Sequence, residues 1–78
     1  MKIQQAKEYY KDGMITGFDA VRDPLSVDGW LLVISGLNDR SWTFQTALGV
    51  SRSFAKLDTL VNQVEVITGR VSSLHISI

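Results

Sequence analysis

The chain has no cysteine, one proline and one histidine, and its eight basic side chains are matched by eight acidic ones. Without cysteine there is no disulfide framework and no thiolate nucleophile, which fits a reducing compartment. One histidine, His75, cannot complete a Cys/His zinc site within the chain. Zero net charge removes the strong non-specific attraction to phosphate on which general DNA affinity rests. The longest apolar run, Trp30 to Ile34, is far shorter than the roughly 20 residues that span a bilayer. The opening MKIQQAKEYY also lacks the apolar core of a signal peptide. A cytoplasmic protein without membrane contact is therefore expected. Neither a phosphate-binding G-x-x-x-x-G-K, a dinucleotide-binding G-x-G-x-x-G nor a nucleophile motif G-x-S-x-G occurs. Asp19, Asp23, Asp28 and Asp39 fall near strand ends and turns, where aspartate serves the backbone. No catalytic residue, metal site or cofactor is assigned, and His75 reads as a solvent-facing strand residue.

What is present is an ordinary globular composition, 45% hydrophobic and 21% charged over 78 residues. That length is one domain, residues 1–78, which buries about 60–65% of its unfolded surface and has modest stability. The centre is the stretch from Gly29 to Gly49, GWLLVISGLNDRSWTFQTALG, which reads as a β-hairpin because Val-, Ile-, Thr-, Phe- and Trp-rich runs flank Asn and Asp. In its second strand Trp42, Phe44, Thr46 and Leu48 share one face, and Ser41, Thr43 and Gln45 share the other. The first strand is apolar on both faces, with Trp30, Leu32 and Ile34 opposed to Leu31, Val33 and Leu37. A two-residue turn at Asn38-Asp39 would pair Val33 with Phe44. A three-residue loop, Asn38 to Arg40, pairs Ile34 with Phe44 and gathers the larger side chains on one face, and it is the favoured register. Either register leaves apolar surface on the second face.

Along the chain, Lys2 to Asp12 reads as a helix ended by a left-handed Gly13. Tyr9 and Tyr10 are adjacent on it, so both cannot point at the core. Met14 to Val21 is a first strand, and Asp23-Pro24 with Asp28-Gly29 brackets the turn into the hairpin. After Gly49, Ser51 or Ser53 can cap a second helix on which Leu57, Leu60, Val61, Val64 and Ile67 recur at helical spacing until Thr68-Gly69 stops it. Val71 to Ile78 alternates as a half-buried strand. The order α-β-β-β-α-β predicts an α+β domain of two layers, a four-stranded antiparallel sheet carrying both helices on one face.

Two surfaces follow for function. Leu31 and Val33, on the second face of the central strand, are candidates for self-association into a homodimer. Leu74, Ile76 and Ile78 are the other candidates, on a terminal strand that can lie at a sheet edge. Charge is uneven: residues 1–39 hold four basic and six acidic side chains, residues 40–78 four basic and two acidic. Arg40, Arg52, Lys56 and Arg70 could therefore form a mild basic patch for a polar partner.

The stretch SWTFQTALGVSRSFAKLDTLVNQVEVI, a strand, a Gly turn and an amphipathic helix, resembles the end of the three-stranded amino-terminal DNA-binding modules of phage-type integrases. That resemblance implies DNA reading by the sheet. More of the chain, DGMITGFDAVRDPL, GWLLVISG, RSWTFQTALG and RSFAKLDTLV, is similar to short accessory proteins carried on bacterial plasmids beside partition or replication genes. It implies a non-enzymatic helper that contacts a partner protein or DNA, and it transfers no site residues. The expectation is an interaction protein of a plasmid or other mobile element that binds protein as a homodimer. The alternative is a DNA-binding accessory regulator.

Overall fold

A computed structural model describes residues 1–69 and the backbone of His75–Ile76. The elements are α1 (Ile3–Lys11), β1 (Ile15–Arg22), β2 (Trp30–Gly36), β3 (Ser41–Thr43), β4 (Ser53–Phe54), α2 (Leu57–Thr68) and β5 (His75–Ile76). The class is α+β and the order is α-β-β-β-α-β, with the third strand divided into β3 and β4. Both pieces pair antiparallel with β2 on the edge away from β1. The closing strand, β5, adds to the other side of β1 in parallel, Asp19 opposite His75 and Ala20 opposite Ile76.

Parity along the strands sorts the side chains as expected. Phe18, Ala20, Trp30, Leu32, Ile34, Phe44 and Phe54 are buried together with Ala6 of α1 and Leu60, Val64 and Ile67 of α2. Both helices therefore cover the same face. The hairpin loop has three residues, but they are Leu37–Asp39 and not Asn38 to Arg40. Ile34 consequently stands opposite Trp42, two residues from the expected Phe44. The cause is local: Asn38 and Asp39 adopt left-handed φ values of 60° and 59°, which these side chains tolerate and which frees Arg40 to remain extended. A shift of two residues keeps the faces, since the side-chain period is two.

Other boundaries move for reasons of pairing. Neither Ser51 nor Ser53 caps α2, because Ser53 is taken into β4 opposite Leu31; the helix starts at Leu57 with Lys56 at its N-cap and no side-chain cap. Leu48, expected on the buried face, is 91% exposed. The chain leaves the edge of β2 after Phe44, whose N–H donates to the Leu32 carbonyl, and rejoins it at Ser53. Between these points Gln45 bridges to Ser51, and Leu48 lies in the turn beyond. Gly13 and Gly69 end the helices with φ values of 73° and 75°, as the sequence predicts.

Met1 takes part in the sheet edge. Its carbonyl accepts from Gln45 N–H at 2.8 Å, and its ammonium donates to the Thr43 carbonyl and to Gln45 Oε1, both at 2.8 Å. Burial, with the nearby charge of Lys2, holds that amine below its ordinary value of 8.0. Tyr9 and Tyr10 are both half-buried. Tyr10 tilts against Phe18 at 6.4 Å, while Tyr9 meets Trp42 edge-on at 5.6 Å between centroids.

The Trp42 ring in turn lies over Gly36, where an added Cβ would stand 2.6 Å from the ring and 3.0 Å from the Met14 carbonyl oxygen. Gly36→Ala must therefore push Trp42 off Tyr9 or spread β2 from the turn before β1. A loss of about 1–3 kcal/mol in urea-unfolding free energy is expected, the usual cost of overpacking.

Candidate functional site

The face of the sheet away from the helices is built by alternation. Gly17, Asp19 and Val21 from β1 lie beside Ser35, Val33 and Leu31 of β2, and Thr43 and Ser53 continue the rows on β3 and β4. Val21 and Leu31 are direct cross-strand partners, and Val33 is next to them along β2. These three aliphatics are half-buried and take no part in the core between sheet and helices. They form one apolar strip across the two middle strands.

The only charged side chain among the described residues of these rows is Asp19, opposite Val33. Ser35 Oγ donates to its Oδ2 at 3.5 Å, a long contact, and Asp19 is half-buried. No group of three His, Cys, Asp or Glu among the described residues is placed to hold a metal ion. The chemistry this face offers is burial of an apolar surface around one carboxylate.

The basic candidates occupy different places. Arg40 is exposed beside the hairpin loop at the Gly36 end of β2, whereas Lys56 is exposed before α2 at the Trp30 end. Those ends are roughly 20 Å apart by ordinary strand rise. Arg52 is half-buried on the helix side; its guanidinium lies 4.7 Å from the Phe54 ring centre and donates to Gln63 Oε1 at 3.4 Å. Arg70 lies outside the described residues. Arg22 makes a second such contact, 4.2 Å over Trp30, the cross-strand neighbour of Phe54.

Of the self-association candidates, Leu31 and Val33 lie together on the uncovered face. Ile76 sits in β5 at the sheet edge, and Leu74 and Ile78 fall outside the described residues. Val21 completes the strip and was not singled out in the sequence, although its alternation with Ala20 and Phe18 placed it opposite the core. No helix among the described residues is long and apolar enough to cross a membrane. No family model, curated protein or solved structure matches the chain.

Because Arg52 bridges β4 and α2, its truncation tests packing. Arg52→Ala is expected to lower unfolding free energy by about 0.5–1 kcal/mol, measured in urea, through loss of the ring contact and the covering side-chain stem.

Proposed function

We propose that this chain is a small non-enzymatic interaction protein that works by protein–protein contact through its uncovered sheet face, with a second copy of itself as the partner. The observation that carries the reading is the Val21–Leu31–Val33 strip, apolar side chains in register on a face that neither helix covers. Two such faces can stack with their strands aligned, as in a β-sandwich. A helper role on a mobile element is what the sequence resemblance to plasmid accessory proteins implies. DNA fits this face less well, since its rows carry no cation among the described residues to meet phosphate. Binding of a labelled DNA duplex that weakens steeply with salt would replace the protein-partner reading.

Leu31→Thr with Val33→Thr should separate a dimer into folded monomers. Threonine keeps the strand preference of the positions while removing apolar contact. Sedimentation equilibrium reads the mass and circular dichroism the fold, and a double variant that stays dimeric assigns the interface elsewhere. Asp19 acts in the opposite sense, because stacking withdraws its charge from water. Asp19→Asn is expected to tighten self-association by roughly three- to tenfold, seen as a lower dissociation constant.

A further inference from the structure

The closing strand brings the chain's single histidine level with the one charge in the described rows of the uncovered face. His75 is the parallel register partner of Asp19, and the next pair is Ile76 with Ala20. Register partners in neighbouring strands belong to the same face of a sheet, because successive residues alternate between faces in step. Ala20 is part of the core beneath the helices, so Ile76 belongs to that side and the Asp19–His75 row to the other. Ordinary strand spacing puts the two backbones roughly 5 Å apart.

No second titratable group competes for this position among the described residues of the face. Beside Asp19, β1 contributes Gly17 and Val21 to it, and β2 contributes Leu31, Val33 and Ser35. Arg22 of β1 is on the opposite face, where its guanidinium lies 4.2 Å over the Trp30 ring. The charged residues of α1 and α2 belong to helices packed on that opposite face as well. Asp23 lies past the end of β1, where its Oδ1 accepts from Leu25 N–H at 2.9 Å. Asp19 is half-buried, and a partly buried charge is screened by salt less than an exposed one.

We infer that Asp19 and His75 are an electrostatically coupled pair across β1 and β5, and that protonation of His75 strengthens the attachment of the closing strand. Histidine is the side chain whose ordinary midpoint, about 6.5, falls in the neutral range. A carboxylate neighbour raises that midpoint in the folded chain, while the unfolded chain keeps the ordinary value. The stabilisation is therefore complete below the unfolded midpoint and is lost as pH rises through the folded one. Opposite charges in register across two strands change an unfolding constant by about two- to fivefold. The hold of β5 on the sheet thus weakens by that factor between mildly acidic and mildly alkaline solution. The pair forms within one copy and is independent of self-association.

The experiment is an NMR titration of the full chain, in which one histidine gives one imidazole signal. The unsubstituted protein is compared with Asp19→Asn and Asp23→Asn, with midpoints extrapolated to zero protein concentration. Asparagine at position 19 removes the charge and keeps an oxygen for the Ser35 hydroxyl. The expected result is a midpoint that falls by about 0.3–0.7 pH unit in Asp19→Asn and stays in place in Asp23→Asn. A double-mutant cycle of Asp19→Asn with His75→Gln, read by urea unfolding, should show a coupling of about two- to fivefold near pH 5.5 and none near pH 8.5. An unchanged midpoint in Asp19→Asn overturns the pair. An equal fall in Asp23→Asn also overturns it, since any nearby carboxylate would then serve. Coupling that persists near pH 8.5 belongs to uncharged packing and overturns the dependence on protonation.

Discussion

β2 is apolar on both of its faces, while the described helices span Ile3–Lys11 and Leu57–Thr68 and pack on one side only. Every larger feature follows from how that mismatch is resolved. Trp30, Leu32 and Ile34 are the bulkier set, and with Phe18, Phe44 and Phe54 they take the helices. Leu31 and Val33 are left with Val21, shielded in part by their neighbours along and across the strands. Exchanging the faces would have put two tryptophans outside, so burial of aromatic area decides which side receives α1 and α2.

The polar and charged groups agree with this division. No polar or charged residue among the described ones is buried, and no buried side-chain polar atom there lacks a partner. Arg22 and Arg52 spread their guanidinium groups on Trp30 and Phe54, at the end of the sheet where β4 turns into α2. These two cations thus lie at the rim of the helix-covered side, and Asp19 is the one charge in the described rows of the other. A surface of that kind offers apolar area and, among the described residues, no cation to a polyanion.

Much of this was legible in the sequence wherever a local rule had no competitor. Gly13 and Gly69 stop the helices because nothing else nearby can adopt their φ at so little cost, and Leu60, Val64 and Ile67 keep one helical face. The faces of β2 were readable for the same reason: a register error of two leaves them unchanged. Competition defeated the finer reading. Asn38 and Asp39 both accept left-handed backbone, so the loop moved one residue back from where Arg40 had been placed in it. Ser53 had two uses, helix cap and strand partner of Leu31, and the strand took it. Distances between Arg40, Arg52 and Lys56 depend on which end of β2 each joins, and spacing along the chain does not contain that information. Met1 at the edge of β3 had no local signal, since its partners lie at Thr43 and Gln45.

The excursion between Phe44 and Ser53 leaves the ladder on one row of β2 and returns on the next, so the pairing of Trp30 with Phe54 does not depend on what the chain does in between. The bridge between Gln45 and Ser51 closes the exposed turn at its base. Since the entropy of closing a loop rises only slowly with its length, this is where the chain can lengthen, shorten or accept a foreign segment without disturbing the core. Homologous chains would be expected to differ most in length here, and a spectroscopic label or epitope placed at Leu48 would report on the molecule without entering its packed interior.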